Sequence, residues 1–186
     1  MDVDELESIL EGQAETQTIE FKGACGWDVV RMAKDILALS NVQDGGVIVI
    51  GVEDGTYKRQ GVDAAQMQTF NVETMRDQMA AYADPHVNFV VEYPADSVGK
   101  RYVVIRVRSF EEIPVICRKD SQDTRAGVLY YRNKNRRIES APISNSYDMR
   151  DVIEMATVRM MQRKQRFGYA VPAGAGQKFT EELGGL

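Results

Sequence analysis

The stretch Val47 to Val52, VIVIGV, constrains this chain more than any other part of it. A run of β-branched residues this short, preceded by Gly45-Gly46 and followed by Asp54-Gly55, reads as a central strand buried on both faces rather than as a helix. Such a strand needs a neighbour on each edge and an apolar cover above and below. The rest of the chain must supply them.

Read with that requirement, the sequence divides into alternating signals. Val3, Leu6, Ile9 and Leu10 fall at helical spacing with acids in the first turn, which predicts a helix from Asp2 to Leu10 ending at Gly12. TIEFK, Thr18 to Lys22, alternates and reads as a strand. Val29, Ala33, Ile36 and Leu37 form an apolar stripe, so a helix is expected from Trp27 to Ser40, closed by Asn41 to Gly46. Ala64 to Tyr82 reads as one helix or two, broken near Phe70 and Asn71. Val87 to Tyr93, Tyr102 to Val107, Pro114 to Cys117 and Val128 to Arg132 read as strands, with a hairpin turn at Asp96 to Gly99. A last helix is expected from Tyr147 to Gln165, burying Met149, Val152, Ile153, Ala156, Met160 and Met161. Without strict βαβ alternation, the fold class is α+β: a mixed, mainly antiparallel sheet packed with helices. Residues 1–166 form one domain in this reading, and 167–186 a mobile Gly/Ala-rich tail.

A length of 186 residues suits a single core. No apolar run approaches the ~20 residues that span a bilayer, and the acidic start lacks the features of a signal peptide, so the cytoplasm is the expected location and no membrane partner is expected. Cys25 and Cys117 lack partners at metal-ligand spacing, so two free thiols and no zinc are expected. The net charge of −5 conceals an asymmetry. Residues 1–99 hold 6 Lys+Arg against 18 Asp+Glu (−12), residues 100–166 hold 16 against 8 (+8), and the remainder 1 against 2 (−1). A basic half can receive a polyanion; it can equally pair with the acidic half across the fold.

Three carboxylates stand out: Glu15 before the first strand, Glu20 within it, and Asp54 after the buried run. Extended chain would hold Glu15 and Glu20 roughly 16 Å apart on opposite faces, so a bend at Thr16 to Thr18 is required to unite them. If the two strands are neighbours, Asp54 can approach the same point, and three carboxylates suit magnesium or manganese, which polarises a phosphate and lowers the pKa of a bound water. The alternative stays open: Glu15 as a surface acid, Glu20 paired with Lys22 or an arginine, and Asp54 as a turn former.

ETQTIEFK (Glu15 to Lys22), LALSNVQDGGVIVIGVED (Leu37 to Asp54) and LYYRNKNRRIESA (Leu129 to Ala141) together resemble the successive signatures of the Schlafen AlbA domain family. The resemblance runs from about residue 5 to residue 165. It implies an AlbA-like fold and a nucleic-acid ligand, RNA ahead of DNA. It also implies a metal-dependent endoribonuclease acting on structured RNA such as tRNA, with Glu15, Glu20 and Asp54 as catalytic, metal-holding acids. Lys22, Arg132, Lys134, Arg136 and Arg137 would contact the phosphate backbone, and Tyr130 or Tyr131 could stack on a base.

The chain departs from the family in places. With His86 as its sole histidine it cannot build the zinc site of eukaryotic members, and without GxxxxGK[ST] it has no ATP loop. A single lobe makes a homodimer the expected way to complete a two-lobed clamp. The competing functions are a non-catalytic DNA- or RNA-binding regulatory module, and a scaffold or assembly component whose tail docks on a protein partner.

Overall fold

The computed structural model describes residues 1–133 and 138–168. In chain order the elements are α1 (Val3–Glu11), β1 (Ile19–Lys22), α2 (Val29–Ser40), β2 (Gly46–Ile50), α3 (Ala64–Gln68), α4 (Val72–Ala80), β3 (Ala83–Asp84), β4 (Phe89–Glu92), β5 (Val103–Val107), β6 (Ile116–Cys117), β7 (Tyr130–Arg132), β8 (Ser140–Pro142) and α5 (Ser146–Arg166). The main sheet runs β1-β2-β5-β4. β1 and β2 are parallel, as the helical crossover α2 between them requires, whereas β5 is antiparallel to both β2 and β4. β3 pairs with β6 and β7 with β8, both antiparallel. The fold is α+β with a mixed, mainly antiparallel sheet, as the sequence predicts.

The VIVIGV strand is central, and its alternation divides the core. Ile48 and Ile50 face a large apolar layer with Ile36, Leu37, Val103 and Ile105 beneath α2. Val47 and Val49 face a smaller one with Leu6 and Leu10 of α1, Phe21, Tyr102 and Val104. The register Glu20↔Ile48 and Lys22↔Ile50 places both charged residues of β1 on the α2 face, while Ile19 and Phe21 face α1. The Gly45-Gly46 pair makes the entry to β2 possible. Gly45 sits at φ 70°, where a Cβ would fall 2.2 Å from the Val107 carbonyl oxygen, and a Cβ on Gly46 would fall 2.5 Å from that of Thr18. Only Gly45 of the two has positive φ; Gly46 is needed for close approach.

The break between α3 and α4 falls at Phe70-Asn71, where Asn71 caps α4 by accepting from the Thr74 N–H at 3.0 Å. Two elements escape the sequence reading: β3 and β8 are two and three residues long, below the length at which alternation is visible. The expected buried face of α5 needs correction. Val152 and Ala156 are buried, but Met149, Ile153, Met160 and Met161 are exposed, Ile153 at 56%. The inward arc is held instead by Asp148, Val152, Ala156 and Arg159. The Arg159 guanidinium donates to Ser109 Oγ at 2.9 Å, to the Gln43 carbonyl at 2.7 Å and to the Phe110 carbonyl, and lies over the Phe110 ring. One arginine thus takes the rotational position that an apolar anchor was expected to fill. Both cysteines are free. Among the described residues no helix is long and apolar enough to cross a membrane. Of the expected tail, residues 169–186 lie outside the described ones, as do Lys134, Arg136 and Arg137.

Candidate functional site

The bend expected at Thr16 to Thr18 exists. Thr16 and Ile19 exchange backbone hydrogen bonds, 3.1 and 3.4 Å long, closing a tight turn before β1. It folds Glu15 back so that its Oε1 accepts from the Phe21 N–H at 3.2 Å, beside Glu20. Desolvation, and then the Glu20 charge, raise the Glu15 carboxyl to about 7, against smaller opposing effects of the Phe21 N–H and Arg132. The two glutamates therefore meet, although extended chain would have separated them.

Glu20 is buried and doubly paired. One carboxylate oxygen accepts from the Lys22 ammonium and the other from the Arg132 guanidinium. Lys22 also binds Asp35 Oδ2 at 2.8 Å, reaching down to a carboxylate buried in α2. Burial alone would lower the Lys22 pKa, but Asp35 and Glu20 outweigh it and hold the ammonium above the ordinary lysine range. Arg132, on β7, has no exposed surface; its second terminal nitrogen donates to the carbonyls of Thr16 at 2.8 Å and Ile19 at 2.9 Å. Gln17 ties the same turn to β7, donating to the Arg132 carbonyl at 3.2 Å and to the Tyr131 hydroxyl at 3.0 Å, and that hydroxyl donates to Asp151. The result is a hub of three carboxylates (Glu15, Glu20, Asp35) and two cations (Lys22, Arg132), nearly balanced in charge.

Asp54 is placed differently. It is exposed in the turn after Val52, whose N–H donates to the Lys22 carbonyl at 3.0 Å, so it leaves the sheet at the same end as Lys22. Among the described residues no group of three or more His, Cys, Asp or Glu side chains is arranged to hold a metal ion. Glu15 and Glu20 are brought together, and Asp54 is not joined to them. Lys22 and Arg132, expected along a phosphate backbone, have their charge spent on Glu20 and Asp35. Tyr130 and Tyr131 are both buried, so neither presents a face for stacking on a base. His86 is exposed in a loop.

Sequence reading missed Asp35 and the full role of Asn41. The signal for Asp35 was a carboxylate within an otherwise apolar helical stripe, Met32 to Leu39. Asn41, read as a helix cap, is fully buried and bonds three segments at once. Its Nδ2 donates to the carbonyls of Leu37 (3.2 Å), Val115 (2.9 Å) and Tyr130 (2.9 Å), and its Oδ1 accepts from the Val115 N–H at 2.8 Å.

A pH prediction arises from Glu15. Its folded pKa lies above the ordinary 4.5, so the stability it contributes is fully present below pH 4.5 and is lost as pH rises through about 7. Glu15→Gln, which keeps an acceptor for Phe21, is expected to be more stable than the parent at pH 8. The gain is roughly 1–2 kcal/mol, discounted for the half-exposed position of this carboxyl, and it vanishes near pH 4. Urea denaturation at the two pH values measures it; equal gains at both would contradict the assignment.

The comparisons with known proteins agree with this architecture. The family model described as Schlafen, AlbA_2 matches residues 15–140, a span running from Glu15 itself to the first residue of β8. The chain belongs to the Schlafen AlbA_2 family. That membership suggests a nucleic-acid-binding or nuclease-like protein. No curated protein matches the chain. Among solved structures, it is similar to the DIP2311 protein from Corynebacterium diphtheriae, with 17% identity and a TM-score of 0.52 over 80% of this chain. That likeness is one of fold. The chain spans 27% of the length of that structure, about a quarter. Within the AlbA_2 domain, the match encloses all three acids and the whole ion-pair hub.

Proposed function

We propose that this Schlafen AlbA_2 protein binds RNA through its basic half and hydrolyses it as an endoribonuclease at the Glu15–Glu20 turn. The observation that carries the reading is the apposition of these two glutamates by a turn whose carbonyls Arg132 holds. Magnesium or manganese is the ion that Glu15, Glu20 and Asp54 would bind. In the described arrangement they do not make that site: both Glu20 oxygens are taken by cations and Asp54 stands apart. No step is therefore routed through a metal. Among the chain's own groups, Glu15 titrates near neutrality, the property a proton-transferring side chain needs.

The doubly paired Glu20 favours a second reading, a non-catalytic binding module in which the hub is structural. A scaffold role, with a protein partner for the tail, is a third. The variants that separate them must leave the ion pairs of Glu20 with Lys22 and Arg132 intact, so Asp54→Asn and Glu15→Gln serve where Glu20→Ala would not. Total tRNA and a DNA duplex are incubated with each protein in manganese, magnesium or EDTA. The nuclease reading expects cleavage of tRNA that Glu15→Gln lowers at least ~100-fold, as loss of a proton-transferring side chain would; the manganese, magnesium and EDTA arms and Asp54→Asn report whether an ion is required as well. Salt-sensitive binding without cleavage selects the module, and neither activity leaves the scaffold. Sedimentation of the same samples tests the homodimer.

A further inference from the structure

Between the start of β4, the end of β5 and the segment leading to β6 lies a half-open cavity of about 220 Å³. Its apolar wall is formed by the buried Phe110 and Val115 with Val87, and Ile113, 60% exposed, lines it as well. The walls are held apart. On one side the Arg108 N–H donates to the Asn88 carbonyl at 2.8 Å. On the other, the Phe110 N–H donates to the Ser40 carbonyl at 2.8 Å, Arg159 donates to the Phe110 carbonyl, and the Val115 N–H donates to Asn41 Oδ1 at 2.8 Å. The segment 109–115 is thereby pinned near both ends and cannot fall into the space, whose lining forgoes packing contacts on that side. An apolar recess kept open in this way, with a few polar groups converging on it, has the form of a small-ligand site. It is smaller than the roughly 300–1,000 Å³ of pockets for drug-sized ligands and has room for about seven waters, so its ligand is small.

The charged groups around the cavity define that ligand. Arg163 is engaged by Glu112. Arg108 and Glu111 have no ion pair or side-chain hydrogen bond among the described residues, and neither has His86. In so small a cavity a single molecule reaches both the free guanidinium and the free carboxylate, and it must offer each the opposite charge. A phosphate or larger polyanion would satisfy Arg108 but be repelled by Glu111 and Glu112. A simple carboxylate would leave Glu111 unanswered. A free α-amino acid meets all three demands: a carboxylate, an ammonium and an apolar body.

We propose that this cavity binds a free α-amino acid with a branched or aromatic side chain, its carboxylate on Arg108 and His86, its ammonium on Glu111 and its side chain against Phe110 and Val115. None of the lining residues belongs to the Glu15–Glu20 hub, so the proposal stands or falls independently of the nuclease reading. His86, the chain's only histidine, makes the test local: its ring proton signals in the NMR spectrum of the full chain report this cavity alone. Leucine or phenylalanine titrated at neutral pH is expected to shift them saturably. Isocaproate, which is leucine without its ammonium, and leucinamide, which lacks the carboxylate, should each bind about tenfold more weakly, the usual effect of losing one hydrogen bond to a charged group. Arg108→Gln should weaken leucine about tenfold and leave leucinamide unchanged. Glu111→Gln should weaken leucine by as much and leave isocaproate no weaker. Both residues are exposed, so neither change threatens the fold. No shift with either amino acid, tighter binding of AMP or inorganic phosphate, or equal weakening of all three leucine compounds by each variant overturns the proposal.

Discussion

Arg132→Met is expected to lower the free energy of unfolding by about 3–5 kcal/mol, the usual cost of stripping one partner from a buried ion pair. The side chain has no exposed surface, and its loss leaves the Glu20 carboxylate with a single cation and the Thr16 and Ile19 carbonyls without their guanidinium donor. Were Arg132 only a phosphate contact, the same change would alter stability by about 0.5 kcal/mol or less, as exposed substitutions do. Urea denaturation followed by circular dichroism separates the two. The double variant Arg132→Met with Glu20→Leu should regain much of the loss, because removing both charges removes the uncompensated one.

Asn41→Ala is the second large effect, expected at about 3–4 kcal/mol from several buried groups losing their partners together. One side chain satisfies the carbonyls of Leu37, Val115 and Tyr130 and the N–H of Val115. It thereby locks the end of α2 to the segment before β6 and to β7. Asn41→Asp should do no better, since a carboxylate can accept from the Val115 N–H but cannot donate to the two carbonyls across from it. Differential scanning calorimetry of either variant checks the size. A shift corresponding to less than 1 kcal/mol would mean that α2 and β7 are held by packing alone.

The contrast between these residues shows what the sequence made legible. VIVIGV could be read because a run of β-branched residues between glycines has one comfortable environment, and the strand proved central with both faces buried. The turn at Thr16 to Thr18 could be read because two acids five apart cannot otherwise meet. Asp35 could not be paired with Lys22 in advance: an ion pair between a helix and a strand depends on the rotation of α2 over the sheet, which no local pattern fixes. Arg132 was legible as basic but not as buried, because burial was decided by a partner 112 positions away. The face of α5 was misjudged for a related reason. Six apolar residues surround more than one arc of the helix, and the choice among arcs was made by Arg159 finding three acceptors.

The parallel pairing of β1 with β2 leaves β1, among the described residues, as an edge strand of the main sheet. Open edges present unpaired carbonyls on which another chain's strand can dock, a route to aggregation that proteins commonly block with charge. Here the block is Arg132 itself, whose guanidinium occupies the Ile19 carbonyl while the Thr16 turn folds back over the same residue. Arg132→Met is therefore expected to turn concentrated solutions turbid at temperatures where circular dichroism still reads it as folded; clear solutions up to the unfolding transition would mean that the edge is guarded by the Thr16 turn alone.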